Sequence, residues 1–348
     1  MGKIRVLIAD DSSLARGLLR DFLESDESIE VVGEAFNGRQ AVDMARELKP
    51  DLITMDLEMP VMTGLQAIEE IMCSKAVPIL VVSSMADAQN ALAAVGCGAL
   101  EVIRKPDCSP AEAADFVARV RMLAGVSVVT RLRPRKLAAQ PLVAPTAPVT
   151  TAAVGQTATN GYRHVFAIAC STGGPQALAQ ILPALPADFS CPVLIAQHIS
   201  DGFAQGMVDW LASLCKLPVR LAAEGDFLQA GVIYLSPSEH HIRLTPTHRV
   251  ALVERTLLDV FHPSCDVMLE SVGDIFGRQA IGIILSGMSS DGAKGIARIR
   301  EKGGVTLAQD EASSVIYGMN RIAIEAGNVQ QILPVEAITQ AMIKLANA

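Results

Sequence analysis

The sequence predicts two α/β domains in series, an N-terminal (βα)5 unit with a parallel sheet and a C-terminal doubly wound unit that carries an antiparallel hairpin. Three observations lead there. On both sides of the chain's middle, short apolar runs alternate with segments of helical period, the pattern of strands covered on both faces by helices. Between them, residues 130–160 are rich in Pro, Ala and Thr and hold no acidic residue, so they offer little to pack and read as a linker. At 348 residues and 50% hydrophobic content, the chain is also long enough for two cores. The expected division is 1–122, a linker over 123–161, and 162–348.

Bulk properties narrow the function classes. A net charge of −8 leaves no electrostatic footprint for nucleic acid. No apolar run approaches the roughly 18 residues of a membrane span, and "MGKIRVLIADD" meets an acidic pair too soon for a secretory signal. The expected compartment is the cytoplasm, without membrane insertion. Seven cysteines without CxxC spacing read as reduced core residues rather than disulfide or zinc ligands. In the linker, Arg131, Arg133, Arg135 and Lys136 read as solvated charge.

In the first unit, "KIRVLIAD", "SIEVVGEA", "DLITMDL", "VPILVVSS" and "LEVIRKP" are the strand candidates, and "SLARGLLRDFLE" and "GRQAVDMARELK" have helical period. Ligands of such sheets collect at the carboxyl ends of the strands. Those ends carry Asp10 and Asp11, then Asp56, Ser83 and Lys105. Crowded carboxylates call for a hard divalent cation, and Mg2+ with oxygen ligands fits. An ammonium and a hydroxyl opposite would hold phosphate oxygens. The chemistry that uses all five is phosphoryl transfer onto a carboxylate, with Asp56 as acceptor.

In the second unit, "HVFAIAC", "CPVLIAQH", "AIGIILSG" and "GVTLAQD" are strands, and "GVIYLSPSEHHIRLTPTHRVALVE" reads as an antiparallel insertion. The stretch "IACSTGGPQAL" puts Ser171 where a strand turns into a helix. That serine is either a helix cap or a nucleophile. A nucleophilic serine needs a histidine and a carboxylate, and of six histidines only His198 directly follows a buried-strand pattern. Asp291 and Asp310 both follow strands at the same edge, and spacing does not choose between them. A helix starting after Thr172 would turn backbone N–H groups toward an oxyanion. The order Ser, His, Asp and the missing first glycine of G-x-S-x-G separate the chain from α/β-hydrolases.

Two resemblances extend this reading. "IADDSSLAR", "DLITMDLEMPVMTGLQAIEEI", "VVSS" and "RKP" resemble a two-component receiver domain. The resemblance implies Asp56 as phosphoacceptor, Mg2+ on Asp11, Asp56 and the Glu58 carbonyl with Asp10 nearby, and Ser83 and Lys105 as switch residues. Val102 stands where receivers usually carry an aromatic residue, so the aromatic rotamer switch is not expected in that form.

"STGGP", "AQHIS", "HPSCDVML", "LSGMSSDGAKG" and "AQDEASSVIYGMNR" resemble the catalytic domain of chemotaxis protein-glutamate methylesterases. That family implies a serine hydrolase acting on methylated glutamates of methyl-accepting chemoreceptors, with glutamine deamidation as a second activity. The expected phosphodonor is a histidine kinase of the chemotaxis pathway, no cofactor is expected for the esterase, and a monomer is expected. Its triad falls on Ser171, His198 and Asp291, and its oxyanion donors on the backbone of Thr172 and Met288. The chain departs from the family pattern at Ala169, Cys170, Ser286, Ser289 and Asn320; Cys170 and Ser289 add bulk beside the nucleophile and the oxyanion loop.

The pairing of a phosphoacceptor with a hydrolase leads us to expect that the unphosphorylated receiver covers the Ser171 edge and that phosphorylation of Asp56 opens it. The rival is a receiver-switched binding or signalling protein with a degenerate hydrolase domain. A DNA-binding regulator fits less well, since "STGGPQALAQIL" holds no basic recognition helix.

Overall fold

The computed structural model describes residues 2–84, 88–128, 161–256 and 259–348. Most of the expected linker, with its four basic residues, lies outside the described residues. Among those described, no helix is long and apolar enough to cross a membrane.

The first domain alternates β1 (Ile4–Ala9), α1 (Ser13–Glu24), β2 (Ile29–Ala35), α2 (Gly38–Leu48), β3 (Leu52–Met55), α3 (Gly64–Ser74), β4 (Ile79–Ser83), α4 (Ala88–Cys97), β5 (Glu101–Arg104) and α5 (Pro110–Leu123). Its five strands are parallel in the order β2-β1-β3-β4-β5. Local sequence sets the helix starts. Ser12 caps α1, Thr63 and Gln66 form a capping box on α3, and Ser109 caps α5 ahead of Pro110, each satisfying N–H groups that a helix start leaves without partners. One step past the strands the ladder continues, with Asp56 N–H donating to Ala9 O at 2.8 Å and Lys105 N–H to Ser83 O at 2.9 Å. The acidic residues and the lysine therefore leave the sheet at one edge.

The second domain contains β6 (Val165–Cys170), α6 (Gly174–Ile181), β7 (Val193–Gln197), α7 (Ala204–Leu214), β8 (Val219–Leu221), β9 (Ile233–Leu235), β10 (His240–Leu244), β11 (Val250–Glu254), α8 (Cys265–Phe276), β12 (Ala280–Ile284), α9 (Ala293–Glu301), β13 (Val305–Gln309), α10 (Met319–Glu325), β14 (Gln331–Leu333) and α11 (Val335–Ala346). Seven strands form one parallel sheet in the order β14-β13-β12-β6-β7-β9-β8. Along β6, Phe166, Ile168 and Cys170 pack into one core while Val165, Ala167 and Ala169 pack into another on the opposite face. Each fully buried aliphatic side chain in such a layer stabilises by about 1.5–3 kcal/mol.

The inserted segment differs from expectation in part. Its first strand, β9, joins the large parallel sheet between β7 and β8, and only β10 and β11 form the antiparallel hairpin. A three-residue apolar strand looks the same in sequence whichever partner it takes. The strands β8 and β14 have three residues each, too few for periodicity to mark them in the sequence.

The domains touch. Helix α4 packs against α6 and α7, with Trp210 over Gly96. A cavity of about 390 Å³ lies between the domains, with Leu100, Val102 and Arg119 on the first domain's side and Ser171, His198 and Met288 on the second's.

Candidate functional site

The acidic cluster forms as the strand register dictates. Carboxylate oxygens of Asp10, Asp11 and Asp56 lie within 4.8 Å of one another, with Asp10 and Asp56 buried. Lys105 Nζ lies 2.8 Å from Asp10 Oδ2 and 2.9 Å from Asp56 Oδ2. Burial pushes the Asp56 carboxyl up to about 6, against the Lys105 ammonium and with the help of the Asp10 charge. Burial alone would lower Lys105, but its hydrogen bonds to Asp10 and Asp56 carry it above its ordinary value. Three clustered carboxylates, two of them paired with a single ammonium, remain electron-rich, and an all-oxygen donor set of this kind fits Mg2+. Ser83 is buried at the end of β4, and Glu58 is exposed on the loop that follows Asp56.

In the second domain the register places three loops together. β6 lies between β7 and β12; His198 N–H donates to Cys170 O at 3.0 Å and Leu285 N–H to Ala169 O at 2.9 Å. Ser171, His198 and the loop 286–292 thus emerge at one edge.

Ser171 is nearly buried, and it does not cap the helix. The N-cap of α6 is Gly173, in the left-handed region at φ 82°, with no side-chain cap bond. The paired glycines have steric reasons. A Cβ on Gly174 would lie 2.1 Å from Gln197 Oε1, and one on Gly173 2.5 Å from Val315 Cβ. Gly287 permits a third close approach, since a Cβ there would lie 2.7 Å from Ser171 Cβ. Ser286 ties the two loops together, its Oγ donating to Thr172 O at 2.7 Å and accepting from Ile316 N–H at 2.9 Å. Among the described residues, the backbone N–H groups of Thr172 and Met288 donate to no protein acceptor.

His198 Nε2 lies 2.8 Å from Asp291 Oδ2, and the ring stacks on Phe261 with centroids 5.4 Å apart. A carboxylate only accepts, so Nε2 carries the proton and Nδ1 the lone pair. Among the described residues no hydrogen bond joins Ser171 Oγ to His198. Asp310, the other carboxylate left open by spacing, instead binds Ser313 N–H at 3.0 Å and Ser313 Oγ at 2.6 Å.

Asp291 sits at the N-terminus of α8. Its oxygens accept from Cys265 N–H at 2.6 Å, Asp266 N–H at 2.9 Å and Ser264 Oγ at 3.0 Å. Burial by itself raises this carboxyl. The His198 hydrogen bond and charge and the Asp266 and Cys265 N–H groups outweigh it, holding Asp291 below its ordinary value, as expected of an anion at a helix start. The contribution of residues 264–266 was missed from sequence; a serine three residues ahead of an apolar helical run was the available signal. His241 is buried behind them, its Nδ1 accepting from Ser264 N–H at 2.8 Å.

The departures from the family pattern fall around this site. Cys170 is buried, 3.9 Å from Ala196 O, and Ser289 Oγ accepts from Asp291 N–H at 3.2 Å. Asn320 is buried and donates to Gln309 O at 2.9 Å and Ser314 Oγ at 2.8 Å.

The first domain contacts this site directly. Thr172 Oγ1 donates to Glu101 Oε2 at 2.8 Å, and Gln176 Nε2 to Ala99 O at 2.7 Å. Arg119 pairs with Glu101 from α5.

Comparison with known proteins agrees over both domains. Residues 166–342 match the family model described as CheB methylesterase, and residues 6–117 match the response regulator receiver domain. A protein-glutamate methylesterase/protein-glutamine glutaminase of Paramagnetospirillum magneticum is 52% identical over 349 residues, covering 100% of this chain and 97% of that protein. One of the same description from Pyrococcus horikoshii is 35% identical, covering 98% and 93%. Among solved structures, the CheB methylesterase catalytic domain of Thermotoga maritima aligns with TM-score 0.51 and 31% identity, covering 52% of this chain and 98% of that one.

Proposed function

The chain belongs to the CheB methylesterase family, with a response-regulator receiver domain ahead of the catalytic domain, and from this we propose that Ser171, His198 and Asp291 carry its chemistry. The protein is a protein-glutamate methylesterase and protein-glutamine glutaminase. The observation that supports the residue assignment most is the 2.8 Å contact between His198 Nε2 and Asp291 Oδ2, at the sheet edge where Ser171 opens on the interdomain cavity.

In this mechanism His198 Nδ1 takes the Ser171 proton as the hydroxyl attacks the glutamyl ester carbonyl. The developing oxyanion is met by the backbone N–H groups of Thr172 and Met288. His198 then returns the proton to the departing methanol, leaving an acyl-serine, and water repeats the sequence to release glutamate. With glutamine, ammonia leaves in place of methanol. Asp291 holds the ring tautomer and balances the imidazolium charge.

A receiver domain brings an Mg2+ site at its phosphorylation position. Here Asp10, Asp11 and Asp56 with the Glu58 carbonyl would hold the ion, which when bound neutralises charge during phosphoryl transfer. Asp56 accepts the phosphoryl group, and Lys105 and Ser83 hold its oxygens. Lys105 follows β5, the strand that also carries Glu101. Drawing Lys105 to a phosphoryl oxygen therefore pulls on the Glu101–Thr172 contact, and coupling of about 1–3 kcal/mol yields roughly 5–150-fold activation. The substrates are chemoreceptors, the phosphodonor is their histidine kinase, and the setting is the cytoplasm.

Methanol release from methylated receptors, compared between wild type and Ser171→Ala, tests the assignment. Loss of release supports it; equal rates would remove Ser171 as the nucleophile.

A further inference from the structure

Beside the His198–Asp291 pair lies a third donor that the hydrolysis does not use. Cys265 Sγ is 3.5 Å from His198 Nε2, and the three ligand atoms of His198, Cys265 and Asp291 all lie within 4.8 Å of one another. We propose that these three side chains form a site for a thiophilic divalent cation, with Zn2+ the ion that fits.

The argument is one of donors and spacing. Imidazole nitrogen, thiolate sulfur and carboxylate oxygen are the ligands of zinc, and with bonds of about 2.0–2.3 Å to a tetrahedral ion their mutual separations come to roughly 3.3–3.7 Å. The observed 2.8 Å and 3.5 Å separations need side-chain adjustments of under about 1 Å to match those values. The frame is already rigid, because Asp291 is held by the N–H groups of Cys265 and Asp266. The cavity that His198 lines supplies water for a fourth position. Mg2+ takes all-oxygen ligands and so stays with the acidic cluster of the receiver. Spacing along the chain hid the site, since its ligands come from three segments far apart in sequence, two loops and the first residue of α8.

Binding has a defined proton balance. The ion takes the Nε2 lone pair, so the ring proton moves to Nδ1, and the Cys265 thiol proton leaves to solvent. Thiolate and carboxylate together balance the two positive charges. Nδ1 then donates instead of accepting, and the base that serves Ser171 is lost. This inhibitory consequence rests on the proposed role of His198; the site itself does not.

The test uses the metal-free full chain with its receiver saturated by Mg2+, and Co2+ as a spectroscopic probe. We expect a thiolate-to-cobalt charge-transfer band that saturates at one ion per chain and is displaced by Zn2+. The band should vanish in Cys265→Ala and in the milder Cys265→Ser, both checked for folding by near-ultraviolet circular dichroism, and persist in Cys170→Ala. No band in wild type, or a band surviving in folded Cys265→Ala, overturns the proposal. Zn2+ should lower wild-type methanol release at least tenfold, a chelator should restore it, and the ratio with and without Zn2+ should approach one in Cys265→Ala. A cobalt band without inhibition would keep the metal site and remove His198 as the base.

Discussion

The hydroxyl of Thr172 donates a 2.8 Å hydrogen bond to the carboxylate of Glu101, so a side chain from the receiver grips the residue that follows Ser171. Arg119 holds the same carboxylate from behind. A hydrogen bond to a charged group is worth about 1.5–3 kcal/mol when buried, and partial exposure lowers that.

Removing this grip should loosen the closed state. Glu101→Ala is expected to raise unphosphorylated methanol release roughly 3- to 10-fold and to shrink the stimulation by a small phosphodonor by the same factor. Steady-state rates with and without the phosphodonor measure both quantities. An unchanged basal rate would show that the contact does not restrain the site.

Asp291→Asn should cost about 10²–10⁴-fold in kcat with little change in KM, because an amide neither enforces the Nε2–H tautomer nor balances imidazolium charge. Stability should follow pH. The Asp291 carboxyl lies below its ordinary value when folded. Its stabilising contribution is therefore present above the unfolded carboxylate pKa and disappears as pH falls through the folded one. Denaturant midpoints of wild type and variant should differ at pH 7 and converge under strongly acid conditions.

Asp56 has the opposite sign. Burial raises its carboxyl to about 6 from 3.8, so the folded receiver favours the protonated form, and ionised Asp56 destabilises the fold by on the order of 2 kcal/mol at pH 7. Asp56→Asn should therefore raise the melting temperature in chelator at pH 7, and the gain should shrink as pH falls below about 6 toward 3.8. A gain constant across that window would falsify the assignment of burial strain to Asp56.

Much of the fold is legible in local patterns. Alternating apolar runs and capping residues such as Ser12 and Ser109 are short-range signals, and the expected strands of the receiver match β1 to β5 closely. The site is legible where chemistry follows a strand end, as at Asp56, Lys105, Ser171 and His198. Strand β9 shows the limit, because whether a short apolar strand pairs parallel or antiparallel depends on partners far along the chain.

By itself, the sequence determined two α/β domains, the residue types at each strand's carboxyl end, and the family those blocks resemble. Tertiary structure alone decided that Ser171 is not a helix cap and that Glu101 reaches Thr172 across the domain boundary; between Asp291 and Asp310, which spacing left open and the family resemblance had chosen, it puts Asp291 beside His198. Periodicity and spacing encode which face of an element is apolar. The distances between side chains on different loops follow only once strand order and domain packing bring those loops together.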